Sequence, residues 1–166
     1  LKRADKLLCS LGYQRKQMRE VDRAVYLKID PSHDHSWNAT DSYSPRVPRP
    51  VELHLDLWDP QNERIHFSLP TNLLARCATR SWSGKTFSCL SDEDALLFEA
   101  LHAFRHIIHN WCRLSVLYEI AHFLNRRSCD GVFWSRFCAR IENNLPLRRV
   151  TGVVLTLSAG LFDAPK

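Results

Sequence analysis

Apolar residues recur at helical spacing through the second half of the chain. The clearest stripe comprises Leu96, Leu97, Ala100, Leu101 and Phe104. Such a stripe is typical of a helix that buries one face against a core. Ser91, with Asp94 three residues later, matches the capping box found at helix starts. The periodicity predicts four helices with short connections, as in a small bundle, over residues 92–109, 113–126, 131–143 and 147–161.

The first half of the chain shows shorter and more varied patterns. Residues 51–58 alternate strictly between apolar and polar side chains, which predicts a strand. Residues 4–11 predict a helix ending at Gly12, since glycine accepts the left-handed conformation of a helix stop. Residues 13–30 fit either a helix or a strand, and the proline-rich residues 31–50 predict a loop. A helix over residues 70–82 and a short strand over 85–89 complete the prediction.

Polar side chains line one face of the strand predicted over residues 51–58. Glu52, His54 and Asp56 occupy alternate positions, so they share a face at intervals of about 6–7 Å. Two carboxylates and an imidazole placed in this way could bind a divalent cation or transfer protons. A polar face turned toward solvent produces the same pattern, and the residues alone do not separate the two readings.

A second group of polar residues lies on the first predicted bundle helix. Glu99, His102, His106 and His109 follow a spacing of three, four and three, which keeps them on one broad face. A histidine pair at i, i+4 can hold a metal ion, although the order differs from the zinc-peptidase motif. Histidines packed at a helix contact are the alternative reading. A third group is Arg113 with Glu119 and His102, in which Arg113 and Glu119 could reach into a cleft or pair across the bundle, and an ion pair is predicted.

Composition narrows the function classes. The net charge of +5 comes from 17 Arg and 6 Lys against 18 acids, which favours anionic partners, but no dense basic stripe requires nucleic acid. With 5 Gly, the chain contains no glycine-rich phosphate loop. No apolar run approaches the roughly 20 residues of a membrane span. We therefore expect no membrane partner.

The cysteines indicate a reducing environment. Six are present, and no two have the spacing of a zinc knuckle or a redox motif. Free thiols are typical of the cytoplasm, where we expect the protein to be located. Cys89, Cys112 and Cys138 lie within apolar stretches, which predicts that they are small core residues.

Several blocks of the sequence, in order, resemble one protein family. Glu52-Leu53-His54 resembles a strand end, residues 90–97 a helix start, and Leu101-His102-Ala103 the turn that follows it. Arg113-Leu114 with residues 118–121 resembles the next helix. Together with the opening residues 6–13, these blocks are similar to the uncharacterised bacterial nucleotidyltransferases of the polymerase-β-like superfamily. The resemblance covers residues 4 to about 145.

The resemblance implies an α+β fold and a Mg²⁺-dependent reaction. In such enzymes an Asp-x-Asp strand and a third acid from a neighbouring strand hold Mg²⁺ while a nucleoside monophosphate passes to an acceptor. It implies that Glu52 is the third acid and a metal ligand, with Asp56 as a further candidate ligand. His54, Asp56 and Arg113 become candidates for substrate binding. The implied partners are a nucleoside triphosphate and an unknown acceptor.

The chain departs from the family pattern before its first block. No glycine turn with an Asp-x-Asp strand precedes residues 6–13, and we expect this chain to be a C-terminal portion that is inactive by itself. We expect residues 1–69 to form an incomplete nucleotidyltransferase-like sheet with helices, and residues 70–166 to form a helical bundle domain. Two alternatives stay open: a catalytically inactive binding module of the same fold, and a metal-dependent enzyme that uses the His102/His106 face.

Overall fold

A computed structural model describes residues 2–16, 23–28, 51–54, 57–58, 63–67, 69–70 and 72–165, without the side chains of five of the strand residues. The fold is α+β, as the sequence predicts, with five helices and two small antiparallel sheets among the described residues. The chain divides into two compact units, Leu1–His66 and Phe67–Lys166.

The first unit combines one helix with a three-stranded sheet. Helix α1, Lys2–Ser10, ends before Gly12, whose φ of 85° confirms the predicted stop. The strands β1, Tyr13–Lys16, β2, Arg23–Lys28, and β3, Val51–His54, pair antiparallel in chain order. The open choice at residues 13–30 is therefore resolved as two strands where the structure describes it. The predicted loop at residues 31–50 lies outside the described residues.

A side-chain hydrogen bond joins the helix of the first unit to its sheet. The hydroxyl of Tyr26, in the middle of β2, donates to Asp5 Oδ1 over 2.8 Å. Ala24, Val25 and Tyr26 are all buried, so β2 contributes these three side chains to the core of the first unit. Because a buried hydroxyl needs a partner, the Asp5 carboxylate fixes where α1 lies on the sheet.

The second unit begins with a hairpin that the sequence prediction missed. Residues 78–82 form strand β4, Ala78–Trp82, paired with β5, Lys85–Cys89, so the helix predicted over residues 70–82 is wrong. Only a 3₁₀ turn, Leu74–Arg76, is helical in that range. Ser83 and Gly84 connect the strands with φ of 49° and 74°, and two positive values in succession are what a tight hairpin turn requires.

Four helices complete the second unit and confirm the predicted bundle helices. They are α2, Asp92–Ile108, α3, Leu114–Arg127, α4, Gly131–Ile141, and α5, Leu145–Phe162. Side chains of Ser91, Asp130 and Asn144 cap α2, α4 and α5 by accepting backbone N–H bonds. Pro146 lies inside the first turn of α5 instead of before it, since that turn needs no N–H from it.

The cores of the helices follow the predicted stripes, but the cysteines do not. Leu97, Leu101 and Val154 are fully buried, whereas Cys112 and Cys138 are exposed and Cys89 is half-buried. Helix α4 buries Phe133, Phe137 and Ile141, and Cys138 lies next along the chain from that face. The prediction of core cysteines is therefore wrong for Cys112 and Cys138. All six thiols are free.

Helix α5 is the most apolar helix of the second unit. Among the described residues it is the one helix long and apolar enough to cross a membrane, with a mean hydropathy of 1.3. A third of that window is buried inside the protein. Length and composition alone do not distinguish a membrane span from an apolar core helix.

Candidate functional site

Strand β3 carries two of the three polar residues that the sequence singles out. Glu52 and His54 lie in β3, and alternation along a strand places them on one face of the sheet. Glu52 is opposite Val25 of β2, and His54 is opposite Arg23. Asp56 and the side chains of Glu52 and His54 lie outside what the structure describes. The polar row at 52, 54 and 56 therefore stays a prediction.

Strand β3 is at one edge of its sheet. The order among the described strands is β1-β2-β3, so β2 pairs with one edge of β3 and none of the other described strands pairs with the opposite edge. An edge strand presents backbone N–H and C=O groups that a further strand can pair with. A neighbouring strand at this edge would run beside Glu52.

In the helical unit, His102 and His106 are in direct contact on one face of α2. Their Nε2 atoms are 2.9 Å apart and their ring centroids 4.4 Å apart. Both side chains are half-buried. One ring must donate a proton while the other accepts, so the two imidazoles form a hydrogen-bonded pair.

The contact continues from the histidine pair to the start of α3. The Trp111 ring packs edge-on against His106, with centroids 5.1 Å apart, and the Arg113 guanidinium lies 4.5 Å above the Trp111 ring. This is the geometry of a cation–π contact. Within the described residues Arg113 makes no ion pair with Glu119, so the predicted ion pair is wrong. Trp111 is 57% exposed, which leaves the stack accessible from solvent.

Glu119 instead influences another acid. Burial raises the pKa of Glu99 above its ordinary value, and the negative charge of Glu119 raises it further. Glu99 is half-buried on α2, one turn before His102, and Glu119 is exposed on α3. The charge of Glu119 thus opposes the ionisation of Glu99, and a cation near the two acids would offset that repulsion.

Three acids in succession at the start of α2, residues 92–94, contain an Asp-x-Asp pattern. Asp94 is completely buried and accepts two bonds from Arg76, 2.8 Å from Nε and 2.7 Å from Nη2. Arg80 and Arg127 both form ion pairs with Asp92. The sequence indicated only a helix cap at Asp94. The bonds to distant arginines depend on tertiary contacts that no local pattern reports.

The arginine contacts determine the charge state of Asp94. Burial alone would raise the pKa of this carboxyl, but the hydrogen bonds from Arg76 and Ser91 and the charges of Arg76 and Arg140 together lower it. A bidentate arginine–carboxylate pair is strong and directional. These carboxylates are thus engaged in holding the fold together and are not arranged around a shared metal position.

One apolar cavity of about 400 Å³ lies between α3, α4 and α5. Leu124, Trp134, Gly152 and Leu155 are among its lining residues, and none of the lining residues that the structure describes has a titratable side chain. A cavity of this size and character can accommodate a small apolar group. Ser128 and Thr156 are its polar lining residues, and its described lining contains no acid or base that could activate their hydroxyls, so the cavity carries no proposal for a transfer reaction.

The comparison with protein families assigns the chain as a whole. A family model described as uncharacterised nucleotidyltransferase matches residues 1–163. The chain belongs to that family. A search of curated proteins and a search of solved structures each found no match. The match supports the resemblance seen in the sequence blocks, and it includes both the sheet that carries Glu52 and the helical unit.

Family membership directs attention to the metal that nucleotidyltransferases use. Across the described ranges, no three His, Cys, Asp or Glu side chains come together to hold an ion. Mg²⁺ binds proteins through one or two carboxylates and completes its shell with water and substrate phosphates. A single glutamate at position 52 is compatible with that mode of coordination, whereas His54 offers a nitrogen ligand that Mg²⁺ does not favour.

Proposed function

We propose that this nucleotidyltransferase-family chain takes part in Mg²⁺-dependent transfer of a nucleoside monophosphate from a nucleoside triphosphate to an acceptor. The observation that supports it is the family match over residues 1–163. In this reaction the metal neutralises charge on the phosphates and lowers the pKa of the attacking hydroxyl. The acceptor is a hydroxyl-bearing molecule whose identity the chain does not specify.

Glu52 is the proposed catalytic carboxylate and metal ligand. It lies in an edge strand, where a strand bearing further acids can pair beside it. Carboxylates brought close together repel one another, and a bound cation offsets that repulsion. Asp56 is the alternative ligand, and His54 is proposed to contact the substrate from the same strand.

Arg113 is the proposed contact for an anionic part of the substrate. Its guanidinium is exposed and stacks on Trp111, and among the described residues it has no acid as a partner. Arginine binds phosphate through two parallel N–H bonds, and stacking on an aromatic ring orients its plane. Arg113 differs in this respect from Arg76, Arg80 and Arg127, each of which forms an ion pair with a carboxylate in the described part of the chain.

The proposal is tested on the polypeptide encoded by the whole open reading frame. Pyrophosphate release from each nucleoside triphosphate is measured with Mg²⁺ for wild type, Glu52→Gln and Asp56→Asn. We expect Glu52→Gln to lower the rate by about 10²-fold or more, since removing one preorganised charge-stabilising group costs 10²–10³-fold. Its free energy of unfolding should stay within about 0.5 kcal/mol of wild type, because we expect the polar face of β3 to lie outside the core.

The variants separate the alternatives. Activity that survives Glu52→Gln and is lost with Asp56→Asn moves the metal ligand to Asp56. If the wild type binds nucleoside triphosphates by calorimetry but releases no pyrophosphate with any acceptor tried, the protein is an inactive binding module. Full activity in both variants would show that β3 has no role in the chemistry.

A further inference from the structure

A second site, distinct from the proposed Mg²⁺ site, is indicated by the histidine pair on α2. His102 and His106 are one helical turn apart, and their Nε2 atoms lie 2.9 Å from each other. Neither nitrogen is used by the proposed transfer reaction. We propose that these two imidazoles bind one divalent transition-metal ion, such as Ni²⁺ or Zn²⁺.

The distance between the two nitrogens suits a common ion. Imidazole nitrogens bind Zn²⁺ at about 2.0–2.1 Å. Two nitrogens at that distance from one ion and 2.9 Å from each other subtend an angle of about 90° at the ion. That is the angle between neighbouring ligands in octahedral and square-planar complexes. When the ion binds, the ring that donates through Nε2–H would carry its proton on Nδ1 instead, so that both Nε2 lone pairs are available and each imidazole stays neutral.

A carboxyl group lies one helical turn before the pair. It belongs to Glu99, on the same face of α2, and the negative charge of Glu119 on α3 acts on it. A cation nearby would offset their repulsion. With no third ligating side chain assembled at this place in the described chain, the ion would keep its other positions for water or for an oxygen of a bound molecule.

The ligand chemistry distinguishes this ion from Mg²⁺. Two imidazole nitrogens suit Zn²⁺, Ni²⁺ and Cu²⁺, whereas Mg²⁺ prefers oxygen donors and gives up water reluctantly. For the same reason, affinity should follow the general order in which Cu²⁺ exceeds Ni²⁺ and Ni²⁺ exceeds Mn²⁺. The proposal for this site can therefore be tested independently of the activity proposed for Glu52.

Trp111 supplies a local reporter for the test. Its ring lies 5.1 Å from that of His106, so a paramagnetic ion at the pair should quench its fluorescence. The whole chain, with its thiols capped by N-ethylmaleimide because four cysteines are exposed, is titrated with Ni²⁺ by calorimetry and fluorescence. We expect one ion per chain and partial quenching, since five tryptophans contribute to the emission.

Variants assign the ion to the pair. His102→Gln and His106→Gln should each weaken binding by more than about tenfold, since even the outer-shell partners of metal ligands are worth 10- to 100-fold. His122→Gln, which alters an exposed histidine on α3, is the matched control and should bind like wild type. Trp111→Phe leaves both ligands in place and should retain the binding heat while losing the quenching.

Three outcomes would contradict the proposal. Unchanged affinity in the variant that carries both histidine substitutions would place the ion elsewhere and overturn the proposal. Quenching that persists in Trp111→Phe would also place the ion elsewhere and overturn the proposal. This variant alters neither histidine, so the test remains valid if the histidine variants fold poorly. Binding of Mg²⁺ with similar affinity would contradict the ligand chemistry.

Discussion

The negative charge of Glu119 repels that of Glu99 in the helical unit. The pKa of Glu99 is raised by burial first and by the charge of Glu119 second. A carboxyl with a raised pKa in the folded state contributes stability that is fully present below its unfolded pKa, about 4.3. That contribution is lost as the pH rises through the folded pKa, because ionisation is then more costly in the folded protein. At neutral pH Glu99 therefore lowers stability.

Replacing Glu99 by glutamine should accordingly stabilise the protein at high pH. We expect Glu99→Gln to raise the free energy of unfolding by about 0.3 kcal/mol at pH 8, the scale of a like-charge pair on a helix surface. The gain should vanish below about pH 4, where Glu99 is protonated in the folded and the unfolded state. Chemical denaturation at both pH values measures it. Adding Glu119→Gln to Glu99→Gln should give little more, and a fully additive gain would contradict the coupling.

Among the secondary-structure elements, the helices were predictable and the hairpin was not. The bundle helices bury one face each, so a period of 3.6 appears in their apolar residues. The strands β4 and β5 are exposed along nearly their whole length, so no burial imposes alternation on their sequence. Pro70, just before this region, favours a helix instead, because proline suits the first turn of a helix. Only Ser83-Gly84 marked the turn, and it is a weak signal by itself.

For the candidate sites, the sequence predicts neighbours within one helix but not contacts between elements. Helical spacing correctly placed His102 and His106 on one face, because i, i+4 neighbours meet by geometry alone. The stacking of Arg113 on Trp111 was missed, since it depends on how the connection between α2 and α3 folds back. The pairing of Asp94 with Arg76 was missed for the same reason. Contacts across elements require the tertiary structure.

Two glycines give a matched test of how backbone conformation controls element stability. Neither Gly84 nor Gly152 has an atom within 4 Å of an added Cβ, but Gly84 has a φ of +74°. Gly152→Ala in α5 should stabilise the protein by about 0.4–1 kcal/mol, because alanine restricts the unfolded chain and suits a helix. Gly84→Ala should destabilise it by about 1–2 kcal/mol, because a Cβ clashes in the left-handed conformation. Thermal unfolding of both variants measures the two changes in stability. Changes of the same sign in Gly152→Ala and Gly84→Ala would contradict this structure.

For the whole molecule, the distribution of arginines bears on what the chain binds. The net charge is +5, yet several arginines of the helical unit are neutralised by acids at the start of α2. Those ion pairs connect the hairpin region, α2 and α3, so part of the basic composition serves the fold. Arg113 is accessible on its tryptophan. The charge excess is therefore consistent with recognition of a small anion and does not require a nucleic-acid surface.

The last prediction concerns residues 1–166 as an isolated polypeptide. We expect it to release no pyrophosphate from nucleoside triphosphates with Mg²⁺, because in-line displacement at two metal ions needs more than the one carboxylate, Glu52 or Asp56, proposed as a ligand. The Asp-x-Asp pattern at residues 92–94 is not expected to supply further metal ligands. It begins a helix, and its Asp92 and Asp94 are each bonded to arginines.

The measurement compares purified 1–166 with the polypeptide from the whole open reading frame, under the same Mg²⁺ and acceptor conditions. A third sample, 1–166 with Asp92→Asn, examines the helix acids directly. Mg²⁺-dependent release by 1–166 that disappears with Glu52→Gln would mean that the remaining metal ligands lie within these residues. If that release also disappears with Asp92→Asn while the protein stays folded, the acids at the start of α2 act in catalysis, because a purely structural ion pair would alter stability before rate.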